Sequence, residues 1–407
     1  MTAPAAVPRR YRPELRSGVL VGGALLHGPA TVHLIKNTES GLSFKVGEKE
    51  HFLISRMDGS RSLEELGAEY AARYGRRLAD ANWRQLLGML GTRGLLAGAP
   101  AGGGPGARPG PGPGPEAGPD TPPGPDTPPG PDRPPGPDRP PAAGPQAPPE
   151  RKLLSGSIRL VADADATTGR LHRAIGFLLS PLWMVPLLCL AVVMEAVLAT
   201  RLGELVLGAK ALFLNPVLLT AAGTLLWLST ALHELAHGVV ARHYGGRVSE
   251  IGLRWRLPVV IMYCTVDDYL HLGTRAARIA TAAAGAVMNL LFLLPFWAVW
   301  MLAPVDDATG DALAGLLFLG SVQALAMLIP LPPLDGYKIA SQLLRATGLA
   351  ASSKEYLRLA MRRDPAAAAY PRRARTAYLL YGLGAPLVLA ALAAALAVLV
   401  HFLLTAP

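Results

Sequence analysis

Cysteine is almost absent from this chain. Cys189 and Cys264 are its two thiols, one in an apolar run and one in a connecting segment, and two such residues build neither a disulfide framework nor a thiolate zinc cluster. Charge is scarce too: 17% of the 407 residues are charged against 51% hydrophobic. That balance excludes an ordinary soluble enzyme and points to a multi-span membrane protein with a soluble part. Met1 to Arg16 contain Pro and Arg but no apolar core, so no cleavable signal peptide is expected and the residues ahead of the first span are expected to stay in the cytoplasm. The net charge of +10 does not require nucleic acid, because the Lys and Arg residues flank the apolar runs, where membrane topology accounts for them.

Three regions are present. Residues 1–97 are expected to form a small α+β domain of winged-helix shape. Val19 to Leu26, Thr31 to Ile35 and Leu42 to Val46 have strand patterns, and helical patterns follow at Glu48 to Met57, from a Ser62/Glu65 capping box to Tyr74, and at Trp83 to Leu90. Residues 98–150 form a linker of Pro, Gly, Ala and Asp that includes four tandem Gly-Pro-Asp-x-Pro-Pro units from Gly118 to Pro141. Glycine at every sixth position excludes a collagen helix, and a solvated, semi-rigid polyproline tether fits. Residues 151–407 contain five apolar runs long enough to be spans: Ile175 to Ala199, Leu212 to Val240, Ile279 to Ala303, Leu313 to Ile329 and Ala377 to Leu404. Lys and Arg number five in 151–174, two in 200–211, six in 241–278, none in 304–312 and nine in 338–376. This alternation predicts a cytoplasmic N-terminus, an outside C-terminus, and the ends of the second and fourth runs at the cytoplasmic face.

Ionisable residues break the second run at His233-Glu234-Leu235-Ala236-His237. An α-helix puts residues four apart on one face, so His233 and His237 can offer two imidazoles to one Zn2+ while Glu234 points beside them toward a bound water. The fourth run ends in Ile329-Pro330-Leu331-Pro332-Pro333-Leu334-Asp335-Gly336, whose prolines break the helix and deliver the Asp335 carboxylate to the depth of the histidines. Two imidazoles and one carboxylate leave the fourth tetrahedral position for water, as expected of a catalytic zinc.

With these residues in place the chain resembles the site-2 protease family of intramembrane zinc metalloproteases. The resemblance rests on the His-Glu-x-x-His of the second run, a Gly-x-x-x-Asn at Gly285 to Asn289 and the Leu-Asp-Gly at Leu334 to Gly336. It implies that His233, His237 and Asp335 are the zinc ligands, that Glu234 is the general base, and that Asn289 lies near the bound substrate backbone. Where the family often has Asn-Pro, this chain has Ile329-Pro330. Thr31 to Leu66 resembles the small winged-helix precursor-recognition domain of ribosomal peptide modification systems, which implies a peptide zinc metalloprotease subfamily.

The expected function is zinc-dependent hydrolysis of a peptide bond near the cytoplasmic membrane face, in the maturation of a ribosomally synthesised precursor peptide. Two other readings compete: cleavage of a membrane-bound regulator such as an anti-sigma factor, and a catalytically silent scaffold for peptide export. The expected partners are the peptide and the lipid bilayer. Ile251, Leu253, Trp255 and Leu257 alternate with Gly252, Arg254 and Arg256, so an exposed strand edge is expected there, able to hold an extended substrate. Tyr263, Asp267 and Asp268 follow it, His243 is out of phase with the ligands, and His271 is unassigned.

Overall fold

A computed structural model describes residues 9–97, 155–256 and 259–405. The expected tether over 98–150 lies outside them, as does Leu257. The first region opens with β1 (Val19–His27), β2 (Ala30–Asn37) and β3 (Ser43–Gly47), an antiparallel sheet in that order. Three helices follow: α1 (Glu48–Ile54), α2 (Leu63–Tyr74) and α3 (Asp80–Thr92). The Ser62/Glu65 capping box is formed: Ser62 N donates to Glu65 Oε2 at 2.7 Å and Glu65 N donates to Ser62 Oγ at 3.3 Å. The sheet and helices close on one core in which Ile35, Leu53, Ile54, Leu66 and Leu90 are almost fully buried.

The second region begins with β4 (Ser155–Arg159), α4 (Ala164–Ile175), α5 (Pro181–Thr200), α6 (Leu202–Leu214) and α7 (Pro216–His243). A hairpin of β5 (Arg247–Arg256) and β6 (Val259–Asp267) separates α7 from α8 (Arg275–Leu302). Then come α9 (Asp307–Ala326), α10 (Asp335–Leu344), α11 (Leu349–Met361) and α12 (Arg372–Thr405). Among the described residues, five helices are long and apolar enough to cross a membrane: α5, α7, α8, α9 and α12. The starts of α7, α8 and α9 follow local capping chemistry. Asn215 Oδ1 accepts from Val217 N and Leu218 N ahead of Pro216, Thr274 caps α8 and Asp306 caps α9.

Two expectations are corrected here. The connection read between the first two spans is the helix α6, and Leu212 belongs to it, not to the second span. Its 13 residues reach about 20 Å, short of the roughly 30 Å apolar thickness of a bilayer. It is held by close packing on α9, where a Cβ on Gly208 would meet the Asp311 carbonyl and one on Gly315 would meet Leu212 and the Gly208 carbonyl. Gly315→Leu is therefore expected to destabilise the protein by about 1–3 kcal/mol, seen as a lower thermal unfolding midpoint in detergent; an unchanged midpoint would show that this crossing is not tight. The second correction concerns the strand at Ile251, which is not an edge. The sheet order is β4-β5-β6, so β5 is paired on both sides.

The N-terminal sheet is joined to the second region by hydrogen bonds and an ion pair. Leu26 N donates to the Arg345 carbonyl at 2.7 Å and the Thr347 N–H donates to the Leu26 carbonyl at 2.9 Å. Leu26 is thereby buried among Leu349, Tyr356, Tyr378 and Tyr381. Tyr378 OH donates to the Gly28 carbonyl at 3.1 Å, and Lys36 Nζ lies 2.6 Å from Asp268 Oδ1.

Candidate metal centre

The helices α7 and α8 meet in antiparallel fashion with a four-residue step. His237 contacts Thr281, His233 lies on Gly285, and Ser229 contacts Asn289. One face of each helix is therefore continuous over these three levels. Gly285 is required by the close approach, since a Cβ there would overlap the His233 imidazole at Cε1 and Nε2. Gly285→Ala is expected to displace that ring and weaken divalent-metal binding by about ten- to a hundredfold, the loss typical of disturbed ligand support. Chelator competition on the purified protein measures this, and an unaltered affinity would contradict the geometry.

Beyond α9 the chain turns through Met327 to Leu334 and re-enters a helix at Asp335. Gly336 N donates to the Met327 carbonyl at 2.8 Å, and a Cβ at Gly336 would overlap the Leu328 carbonyl. This closed turn aims Asp335 at α7. Asp335 Oδ2 lies 3.1 Å from His233 Nε2 and 3.1 Å from His237 Nε2, and the two Nε2 atoms are 3.2 Å apart. Among the described residues this is a group of three candidate ligands with converging donor atoms, and all three residues are buried. Donors placed 2.0–2.2 Å from a tetrahedral cation are separated by about 3.3 Å, so the triangle has the size of one face of such a coordination shell.

Surrounding groups orient each donor. The His237 Nδ1–H donates to the Thr281 carbonyl at 2.6 Å, which leaves the Nε2 lone pair free. His233 Nδ1 is 3.2 Å from the Asn289 amide, whose other end is 3.0 Å from Ser229 Oγ. For His233 Nε2 to bind a cation, Nδ1 carries the proton and Asn289 turns its oxygen to it; amide orientation is set by such networks. Lys338 Nζ donates to Asp335 Oδ1 at 2.8 Å, from the first turn of α10. Glu234 is half-buried, and its Oε2 accepts from Cys264 N of β6 at 3.3 Å. The Cys264 thiol is pushed up to about 12, first by burial and then by the Glu234 carboxylate.

The structure thus brings together His233, His237 and Asp335 and sets Glu234 beside them in the chain. Asn289, expected beside the substrate backbone, is 2% exposed and packs on His233 and Ser229. The remaining candidates lie elsewhere. Tyr263 OH is 3.4 Å from Glu250 Oε2, Asp267 is opposite Arg247 in the hairpin, and Asp268 pairs with Lys36. His243 faces His172 at 3.2 Å, and His271 abuts Gly22 of β1. Sequence reasoning missed Lys338, Thr281 and Ser229. The three-residue step from Asp335 to Lys338 was a readable helical signal, whereas a backbone carbonyl such as that of Thr281 leaves none.

Residues 221–314 match the family model described as Peptidase family M50. The match carries His233, Glu234, His237, Gly285 and Asn289 and stops short of Asp335. A domain of this family, together with five helices able to span a membrane, supports a membrane metalloprotease of the site-2 protease type. No curated protein and no solved structure matches the chain.

Proposed function

We propose that this site-2-type metalloprotease holds one zinc ion through His233 Nε2, His237 Nε2 and Asp335 Oδ2 and uses it to hydrolyse a peptide bond at the cytoplasmic membrane face, in the maturation of a ribosomally made peptide. The observation that carries the reading is the buried triangle of donor atoms at 3.1–3.2 Å. When bound, zinc supplies Lewis acidity toward water and the scissile carbonyl. Glu234 takes the proton of the attacking water and passes it to the leaving amide nitrogen. Lys338, on Asp335 Oδ1, would leave Oδ2 as the oxygen to hold the ion. Asn289 is a positioning residue for His233.

The strand that presents substrate is β6. Cys264 N points away from β5 to Glu234, and the Val260 carbonyl points the same way, accepting from Trp227 Nε1 at 2.8 Å. By the period of two, Met262 between them directs its N–H and C=O outward as well. An extended substrate pairing at Met262 would lie beside Glu234. Trp227 is six residues before His233, about 9 Å along α7, so β6 runs past the centre on the side of the membrane interior.

In this reading residues 1–97 form a winged-helix domain that captures the precursor, the linker 98–150 gives it reach, and both lie in the cytoplasm with the site. The test is metal analysis and cleavage by the purified full chain. One zinc per chain, and phenanthroline-sensitive cleavage of a precursor encoded beside the gene, are expected. A metal-free, inactive protein would favour the export scaffold, and cleavage of an anti-sigma factor with no binding of the precursor's leader would favour the regulator reading.

A further inference from the structure

A cavity of about 280 Å³ lies between the N-terminal sheet and the second region, lined by Gly22 and Gly23 of β1 on one side and by Arg275, Arg278, Gln342 and Arg345 on the other. Among the described residues, none of those lining it is acidic. Arg278 is engaged, with Nε donating to Gln342 Oε1 at 2.7 Å and Nη1 to the Leu272 carbonyl at 2.8 Å. Arg275 is engaged at one end only. Its Nη2 donates to the Leu343 carbonyl at 2.9 Å, while its Nε is buried with no partner. Arg345 is exposed at the end of α10, and Arg278 feels the positive charge of both other arginines. Three guanidinium groups held in mutual repulsion around one concavity form a site for an anion, and their planar forks suit a carboxylate.

The opposite wall favours a peptide as the carrier of that anion. The outer edge of β1 is paired at Leu26 with Arg345 and Thr347. Its register with β2 shifts between Val21 and Ala24, and a Cβ at Gly23 would meet nothing within 4 Å. Beyond the Leu26 contact, Gly22 and Gly23 of this outer strand line the cavity across from the arginines, and a strand at the edge of its sheet serves an extended chain in a way that a lipid headgroup does not need. Gln342 is seven residues after Asp335 on α10, about 10 Å along the helix, which is roughly three residues of extended peptide.

We infer that this cavity binds an acidic side chain of the peptide substrate about three residues from the scissile bond. The inference deepens the peptidase reading and rests on it.

The test uses the full chain with Glu234→Gln, in phosphatidylcholine nanodiscs, and fluorescein-labelled alanine hexapeptides carrying one central Glu, Gln or Lys. Fluorescence anisotropy is expected to show the Glu peptide binding about tenfold tighter than the Gln peptide, a difference that shrinks as salt rises. Arg345→Glu is expected to transfer the preference to the Lys peptide, and Arg275→Gln to remove it. Equal binding of the Glu and Gln peptides, or a Glu preference that survives both substitutions, would overturn the inference. So would loss of the preference when phosphatidylglycerol replaces phosphatidylcholine, which would make this an anionic-lipid site. The readout is binding to a catalytically impaired protein. A wild-type chain without zinc or hydrolysis would sink the peptidase reading and leave the anisotropy interpretable, while equal binding here would leave the zinc site untouched.

Discussion

Glu234→Gln is expected to retain one zinc per chain and to lower kcat by about 10²–10⁴-fold, the range that positioned acid–base groups contribute. The amide has the size of the carboxylate, and its oxygen still accepts from Cys264 N, so the contact that orients this side chain survives. What is lost is the capacity to take a proton from water and return it to the leaving nitrogen. Metal analysis alongside single-turnover cleavage separates the two properties. Full proteolysis by the Gln variant would remove Glu234 from its assigned role, and loss of zinc would mean that the side chain supports the metal and not the proton transfer.

Asp335→Ala is expected to abolish both metal binding and hydrolysis. It removes one donor of three and leaves the Lys338 ammonium without its partner beside two imidazoles. The positive charge then faces the space a divalent cation would take, so the loss of zinc affinity should exceed the ten- to hundredfold typical of a supporting residue, that is, more than about a hundredfold. Equilibrium competition against a fluorescent zinc chelator measures it. Stoichiometric zinc in this variant would show that the carboxylate is not a ligand, and the Leu-Asp-Gly segment would then need another role.

Much of this centre was legible before the fold was known. His233 and His237 are four residues apart in an apolar run, and helical geometry alone places them on one face. The proline-rich turn before Asp335 also marked where a carboxylate would be released from a helix. The helix start at Ser62 was similarly readable, because a cap is an interaction with the next three residues, whereas the helices that contain the second, third and fourth runs begin at Pro216, Arg275 and Asp307 and not at the first apolar residue of each run. Other features were hidden. The helix α6 looked like a connection because its 13 residues, Glu204 and Lys210 among them, are too few for a span, and it is held by contact with α9. The strand β5 looked like an edge because its partner β4 lies some ninety positions earlier, beyond four intervening helices. The contact of Asn289 with His233 was hidden as well, because it depends on the rotation of α8 against α7.

The sequence by itself determined the candidate chemistry of this protein: two imidazoles and a glutamate at readable spacings within an apolar run, and an aspartate just past another. Those properties depend on residue type and on neighbours a few positions away. Only the tertiary structure decided which groups orient the donors, that β6 and not β5 offers its edge, and that an arginine cavity opens beneath the N-terminal sheet. Each of these depends on how helices rotate and where distant strands pair, and packing over the whole chain sets both.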